Sequence, residues 1–347
     1  MTFQISINVN SQMKKFIILF IAIWLFSCEK NLEDAITIPD DNFLNALIER
    51  GVDANGDGLI SEAEAELVTT LDIQSEDISD LSGIEAFTNL ISLNCKFNHQ
   101  LEAIDISQCI RLQTLICYLN QLSSLDVSKN PQLDTLICSF NSFDSLDLSK
   151  NPQLRYLSCN TNSLKHIELT GAVSLEIISL EGNELTHIDF STNVNLKWLF
   201  CQFNKLTSIE LAGHSDLEKV FCQGNQIQHV DVRDNPKLEL LDLGMNDLSD
   251  VKLSNCPSLR SLMVHDNLIS SIDIKEFSNL EGLSVQNNLL SSLDISNNSK
   301  IRNLQINRMP TLQEVCVWEI PFPPIDVKVD TTDSPNVYFT TDCSIIL

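Results

Sequence analysis

One segment of this chain, residues 53–64, places an oxygen donor at almost every second position. The donors are the side chains of Asp53, Asn55, Asp57, Ser61 and Glu64 and the backbone carbonyl of Leu59. Gly58 occupies the sixth position, where a loop of this kind has to turn sharply. Oxygen ligands at positions 1, 3, 5, 7, 9 and 12 are a set that binds Ca²⁺. The spacing therefore predicts one calcium ion in this loop.

Helices on both sides are needed to hold such a loop. Before it, residues 41–50 repeat apolar side chains at helical spacing, beginning at Phe43. After it, Ser61 can cap a second helix that runs through Leu67. The sequence therefore predicts a helical N-terminal cap over residues 39–67.

The loop with its flanking helices resembles an EF-hand. The resemblance implies that the calcium ligands are Asp53, Asn55, Asp57, Leu59, Ser61 and Glu64. Two features depart from that family, because no second loop follows and Ala65 stands where a bulky apolar residue is usual. We expect a structural ion that organises the cap, and the alternative is an acidic turn without metal.

Beyond the cap, the chain repeats itself every 21 residues from Leu112 to Ile301. Each copy has leucine at its first and usually its fourth position and asparagine at its ninth. The asparagines are Asn98, Asn120, Asn141, Asn162, Asn183, Asn204, Asn225, Asn246, Asn267 and Asn288. A fixed period of this length is the signature of a solenoid. The first half of each copy predicts a short strand, and the asparagine is expected to bond backbone groups at the turn that follows.

These columns resemble the leucine-rich repeat family over about three quarters of the chain. The resemblance implies a leucine-rich repeat solenoid that is rich in β-structure. Its inner face is a parallel sheet, and short extended segments form its outer face. We place the repeats at residues 68–311 and a C-terminal cap of strands and loops at residues 312–347.

The N-terminus has the features of an export signal. Lys14 and Lys15 precede an apolar run over residues 16–26, which is short for a membrane span. The ending Ser27-Cys28 resembles a bacterial lipoprotein cleavage site, which implies a signal peptide at residues 1–27, lipidation of Cys28 and a lipid-anchored tether at residues 28–38. An incidental Cys28 behind an uncleaved anchor is the alternative, and Met13 is a second candidate start.

The lipid anchor places the protein in the bacterial cell envelope, attached to the outer membrane, with surface exposure as a further expectation. In an oxidising exterior, Cys316 and Cys343 are expected to form a disulfide, because both lie beyond the last regular repeat. Cysteines also recur at an inward position of the strands, where other copies have Leu, Val or Ile. They are predicted to pack as small apolar side chains.

Charge excludes one class of partner. The chain has a formal net charge of −25, whereas phosphate binding requires basic faces. Nucleic acid is therefore not an expected partner.

Aromatic side chains cluster at positions of the inner strands and turns that should face solvent. The candidate ligand-binding residues are Tyr118, Phe140, Tyr156, Trp198, Phe200, Phe203 and Phe221. Exposed apolar surface and aromatic side chains are typical of contact sites. Phe140 and Phe203 directly precede an asparagine, so sideways packing between copies is the alternative for them.

No nucleophile elbow, phosphate loop or zinc-protease helix motif occurs in the sequence. We therefore expect a non-catalytic lipoprotein that binds a protein or glycan outside the cell through its inner face. The cap and repeats also resemble, more distantly, internalin-like adhesins, which implies interaction rather than reaction. The alternative is a structural envelope protein that self-associates through the aromatic residues and has no foreign ligand.

Overall fold

A computed structural model describes residues 34–344 of the chain. The predicted signal peptide and the predicted lipidation site, Cys28, lie outside the described residues. Within them, no helix has both the length and the apolar composition that a membrane crossing requires.

Two α-helices form the N-terminal cap, α1 (Asp41–Glu49) and α2 (Glu62–Glu66). Helix α1 begins after Asp40, whose side chain accepts a hydrogen bond from the Phe43 N–H at 3.0 Å. The other carboxylate oxygen of Asp40 accepts from the Ser79 N–H at 2.7 Å, the Ser79 hydroxyl at 2.8 Å and the Asp80 N–H at 3.1 Å. A single side chain therefore caps the helix and ties it to the first repeat.

The repeats coil into the predicted solenoid, and this prediction is confirmed by thirteen parallel strands in one sheet. We call its solvent side the inner face. The strands in spatial order are β1 (Thr70–Asp72), β2 (Ser92–Asn94), β3 (Thr114–Ile116), β4 (Thr135–Ile137), β6 (Tyr156–Ser158), β8 (Ile177–Ser179), β9 (Trp198–Phe200), β11 (Lys219–Phe221), β13 (Leu240–Asp242), β14 (Ser261–Met263), β15 (Gly282–Ser284), β17 (Asn303–Gln305) and β19 (Lys328–Asp330).

Shorter sheets line the opposite side of the coil, which we call the outer face. They comprise β5 (Ser145–Asp147) with β7 (His166–Glu168), β10 (Ser208–Glu210) with β12 (His229–Asp231), and β16 (Ser292–Asp294) with β18 (Glu314–Cys316) and β20 (Tyr338–Thr340). A 3-10 helix spans Ile84–Ala86. Strands β18 to β20 lie in the segment predicted as the C-terminal cap, and they extend both sheets. The structure joins Cys316 to Cys343 there, with 5.5 Å between their Cα atoms.

Leucines from both halves of each copy fill the space between the two faces. In each inner strand except β19 the middle residue is buried, and in most of them the residues on both sides of it are half-exposed. The inward cysteines, such as Cys95 and Cys117, have no exposed surface. Burial raises the pKa of Cys95 to about 12. These thiols are therefore neutral apolar filling of the core.

The asparagine column satisfies backbone groups at each turn. The Asn204 side-chain amide donates to the Leu180 carbonyl at 2.9 Å and to the Cys201 carbonyl at 3.1 Å. Its oxygen accepts from the Leu185 N–H at 3.0 Å. Because these partners belong to the previous copy or to the same turn, each asparagine fastens two coils together.

A second buried asparagine column lies at the outer turns, and sequence analysis missed it. Its members have no exposed surface, and their side-chain amides donate to two backbone carbonyls; they are Asn130, Asn151, Asn193, Asn235 and Asn298. Other copies have Cys109, Ala172, His214, Cys256 or Phe277 at this position. The column stabilises the turn opposite the first one.

Candidate binding surface and calcium loop

The calcium loop is held in shape by its own predicted ligands. Asp53 accepts from the Gly56 N–H at 2.7 Å and from the Gly58 N–H at 2.9 Å. Asn55 accepts from the Asp57 N–H at 2.8 Å, and Asp57 accepts from the Leu59 N–H at 2.9 Å. Gly56 and Gly58 have φ values of +74° and +81°, which favour glycine. These hydrogen bonds and glycines therefore determine the conformation of the loop without a bound ion.

Glu64 closes this loop from the far end. One of its oxygens accepts from the Ala54 N–H at 2.9 Å, and the other accepts from the N–H and hydroxyl of Ser61 at 2.9 and 2.8 Å. Burial raises the pKa of Glu64, but the hydrogen bonds from Ser61, Asn55 and Ala54 outweigh it and lower the pKa. The carboxylate is thus held charged beside the N-terminal half of the loop.

The predicted ligand atoms are of the types that bind Ca²⁺, because they are carboxylate, amide, hydroxyl and carbonyl oxygens. The carboxylate oxygens of Asp53, Asp57 and Glu64 do not all lie within 4.8 Å of one another, so the loop would draw them together around an ion. In the part of the chain that the structure describes, only Asp294, Cys316 and Cys343 meet that distance. That group is not a free metal site, since its two sulfurs are bonded to each other. Calcium binding at the loop stays a prediction.

The inner face brings three of the predicted aromatic residues together. Trp198 and Phe200 begin and end β9, and Phe221 ends β11, the next strand of the sheet. The Phe200 and Phe221 rings stack with 5.1 Å between their centres and 6° between their planes. The Lys219 ammonium lies 4.7 Å from the centre of the Trp198 ring. We call Trp198, Phe200 and Phe221 the aromatic cluster; all three are half-exposed on the solvent side.

Two other predicted residues lie apart from this cluster. Tyr156 begins β6, two strands from Trp198 in the same column, with Ile177 between them. Tyr118 follows β3 and packs edge-on against Phe97, with 5.2 Å between ring centres. Of these five predicted residues, three therefore form one cluster and two stand apart from it.

Phe140 and Phe203 occupy a strained turn position rather than the strand surface. Their φ values are 54° and 52°, and they are 49% and 52% exposed. The equivalent residues in other copies include Gly182 and Gly224, for which a left-handed backbone carries no penalty. The Phe203 ring also covers Gly224, since a Cβ there would lie 2.6 Å from Phe203 Cδ1. Phe203 therefore packs sideways and still exposes half of its surface.

Charged residues alternate along another column of the inner face, at the second position of each copy. This charge column runs Asp134, Arg155, Glu176, Lys197, Glu218, Glu239, Arg260, Glu281 and Arg302. Neighbours of opposite charge pair: Glu176 lies 2.8 Å from Arg155 and 2.7 Å from Lys197. The alternation fails once, where Glu218 and Glu239 are adjacent. Within residues 34–344, neither of these two carboxylates has an ion-pair partner.

A buried carboxylate interrupts the column that contains the stacked rings. Asp242 is paired in register with Phe221 on one side and Met263 on the other. It is 7% exposed, and it accepts a hydrogen bond from the Gly244 N–H at 3.0 Å. Burial raises the pKa of Asp242, while the Gly244 N–H and the nearby His265 offset part of the rise. An acid in such surroundings costs the folded state free energy.

Comparisons with known proteins agree with this architecture. No protein-family model matches the chain, and no curated protein matches it by sequence. Among solved structures, YopM, a leucine-rich effector protein from Yersinia pestis, matches with a TM-score of 0.61 and 23% identity, over 84% of this chain and 87% of that one. The internalin inlF from Listeria monocytogenes matches with a TM-score of 0.55 and 20% identity, over 87% and 95%.

This is a leucine-rich repeat fold. A leucine-rich repeat protein from Bacteroides eggerthii also matches, with a TM-score of 0.55 and 16% identity over 75% of this chain and 56% of that one. At these identities the likeness establishes the fold, and it leaves the ligand to be argued from the side chains.

The outer face of this leucine-rich repeat solenoid carries an acidic column whose role is structural. Asp126, for example, accepts from the Ser128 N–H at 2.8 Å. The hydrogen bonds from Ser128 lower the pKa of Asp126, and the same contact recurs along the column. These carboxylates stabilise turns.

An outer cavity of about 540 Å³ lies beside the segment 187–189, where the outer sheets are interrupted. His187, Asp189, Glu210 and His214 are among its lining residues. No three of these groups bring their ligand atoms within 4.8 Å of one another among the residues described. The cavity therefore does not form a ready metal site.

The buried carboxylate of the inner face gives a pH-dependent prediction. We expect Asp242→Asn to raise the free energy of unfolding at pH 7 by about 0.5–2 kcal/mol, because the amide removes a buried charge and can still accept from Gly244. The pKa of Asp242 is raised above its ordinary 3.8, so the folded state binds this proton more tightly than the unfolded state does. The advantage of the variant should therefore shrink as the pH falls toward 4.

Urea denaturation between pH 4 and 8 measures this difference. The series is repeated in a His265→Gln background, because that imidazole faces the same carboxylate. An Asp242→Asn variant that is less stable than the parent at pH 7 would show that the charge stabilises the fold.

Proposed function

We propose that this protein is a non-catalytic lipoprotein of the bacterial cell envelope whose inner face binds a protein ligand. The observation that carries the proposal is the aromatic cluster. Trp198, Phe200 and Phe221 stay half-exposed on the solvent side of a rigid sheet, although the core next to them is fully packed. Large aromatic side chains on a fixed scaffold are typical of binding hot spots.

The strained turn residues support the same proposal. Leu119, Phe140, Phe203 and Met245 have left-handed backbones, which cost a residue with a side chain about 1–2 kcal/mol relative to the right-handed region. Glycine occurs at the same turn in Gly182 and Gly224. Apolar side chains kept at a strained, exposed edge favour contact with a partner.

Selection from a peptide library displayed on phage tests the binding proposal. The bait is the chain without its leader, residues 29–347, and a glycan array is probed in parallel. We expect selected peptides to lose binding at least tenfold to Trp198→Ser and Phe221→Ser, but not to Val194→Ser, an exposed apolar residue that lines the outer cavity. If no such peptides are selected and a glycan binds in a way that depends on Trp198, the ligand is a glycan and not a protein.

Self-association is the second candidate, because the same aromatic cluster could pair two copies. Light scattering at high concentration separates the two. A monomer supports a foreign ligand, whereas a stable dimer that Trp198→Ser and Phe221→Ser dissociate would support the structural role.

The lipid anchor and its location are part of the proposal. Cys28→Ala should abolish incorporation of labelled fatty acid and release the protein from membranes. Protease treatment of intact cells then tests surface exposure, since a chain facing the periplasm would stay uncut.

We also propose one structural calcium ion, held by Asp53, Asn55, Asp57, Leu59, Ser61 and Glu64. Chelation should lower the melting temperature of the N-terminal coils, with a loss of about 1 kcal/mol if the site has millimolar affinity and calcium is at a few millimolar. Scanning calorimetry with and without calcium measures the loss.

The variant pair Asp53→Asn and Asp57→Asn should make the melt insensitive to calcium, because the amides keep the turn hydrogen bonds but lose the charge. Asp126→Asn, a change on the outer face, serves as the control. If the melting temperature of the parent does not change with the chelator, the loop is an acidic turn without metal.

A further inference from the structure

Next to the stacked rings on the inner face, one short side chain lies between two large ones, and we call its position the notch. Phe200 and Phe221 cover one face of each other's ring, so the free face of Phe221 is directed along the column toward Asp242 and Met263. Asp242 is a short side chain between these two large ones. Neighbouring strands are about 4.8 Å apart, so Phe221 and Met263 stand roughly 10 Å apart across the notch. The Asp242 carboxylate lies at the base of the notch, and only 7% of the residue is exposed.

The negative charge of this carboxylate is only partly compensated by other groups of the chain. Among the residues that the structure describes, the Asp242 carboxylate accepts one hydrogen bond, from the Gly244 N–H, and has no ion pair. His265 is the basic group near it, and the His265 ring bonds instead to Asp266, with 2.7 Å between Nδ1 and Oδ2. A buried acid without a cationic partner is unfavourable, and it is typical of a site that a ligand completes.

The break in the charge column lies on the same strands. Glu218 accepts from the Trp198 indole N–H at 3.0 Å, and no ion pair reaches it or Glu239 within the described part of the chain. Arg260, the next cation along the column, pairs with Glu281 at 2.5 Å. The edge of the aromatic cluster therefore carries two further carboxylates without an ion pair among the described residues, and the Lys219 ammonium over Trp198 is the cation on the same strands.

We propose that the notch between Phe221 and Met263 recognises an arginine side chain of the protein partner, with Asp242 as its counter-ion. This inference rests on the proposed function and specifies it. The planar guanidinium can lie on the free face of Phe221 while its N–H groups bond to the carboxylate. Glu218 and Glu239 attract the positive partner, and the aromatic cluster contacts apolar residues beside the arginine.

The same peptide library provides the probe. Parent protein, Asp242→Asn, and the matched outer-face control Asp189→Asn are each used as bait. We expect arginine beside an apolar residue to be enriched with the parent and with Asp189→Asn, and the enrichment to disappear with Asp242→Asn. A synthetic peptide from the selection should bind Asp242→Asn at least tenfold more weakly, and its citrulline analogue should bind the parent equally weakly.

Circular dichroism melts of each bait verify folding, and Glu239→Gln provides a second variant at an exposed position, with an expected loss of about threefold. Arginine-rich peptides that bind Asp242→Asn as tightly as the parent would overturn the proposal, because the attraction would then be general acidity. Peptides that depend on Trp198 but contain no enriched arginine would also overturn it, and they would leave the proposed function intact. Selection of no peptide that depends on the inner face counts against both.

Discussion

Asn204→Ala is expected to lower the free energy of unfolding by about 3 kcal/mol, because the buried Leu185 N–H loses its partner and two buried carbonyls each lose one of their two side-chain donors. The Leu185 N–H and the Leu180 and Cys201 carbonyls all bond to this side chain, at 3.0, 2.9 and 3.1 Å. Asn204 is 7% exposed, so water cannot easily replace it. Alanine would leave the Leu185 N–H buried and unsatisfied, while the Leu180 and Cys201 carbonyls would keep one donor each, from Asn183 and Asn225.

Equilibrium urea denaturation of residues 29–347 measures the change. Asn195→Ala is the control, since Asn195 is exposed and makes one bond, to the Val173 carbonyl at 3.0 Å. Its cost should stay below about 0.5 kcal/mol. Equal costs for the two variants would mean that the asparagine column does not hold the coils together.

The position of most side chains could be predicted from the sequence because the repeat fixes their phase. Once the leucines are aligned, Trp198 falls directly before the buried Leu199, and Phe221 falls directly after the buried Val220. The structure places both aromatic side chains on the solvent side. The stacking of parallel strands also follows, because coils of equal length bring equivalent residues into register.

Features that depend on one copy could not be predicted in this way. Asp242 interrupts a column of Phe and Met, and its burial comes from the size of those neighbours rather than from any repeated pattern. The second asparagine column was hidden because its position alternates among Asn, Cys, Ala, His and Phe. A signal for the strained turn did exist, since Gly182 and Gly224 occupy the position that Phe203 shares.

The calcium loop shows a different limit. Spacing identifies which oxygens are available, but the loop turns back on itself through bonds that the spacing does not specify. Glu64 reaches the Ala54 N–H, ten residues earlier, and the Ser61 N–H at the same time. Whether an ion competes with those donors depends on free energies, so chelation rather than sequence has to answer it.

Gly171→Ala should produce the other large loss of stability, at least about 3 kcal/mol, through contact between coils. A Cβ at this position would lie 1.9 Å from the Ser149 carbonyl oxygen and 2.3 Å from its carbon. Both atoms belong to the backbone of the preceding copy, so no side chain can rotate away to make room. The two coils would have to separate where β5 pairs with β7.

Gly213→Ala is the matched control, because Gly213 lies two copies later at the equivalent turn position. It has a φ of +76°, and a Cβ added there would meet no atom within 4 Å, so only backbone strain of about 1 kcal/mol is expected. Urea denaturation gives both costs, and hydrogen exchange over residues 145–168 should increase only in Gly171→Ala. If the two alanines cost the same, the approach of Ser149 does not determine why glycine is needed at position 171, since Gly171 has no left-handed backbone that would strain an alanine.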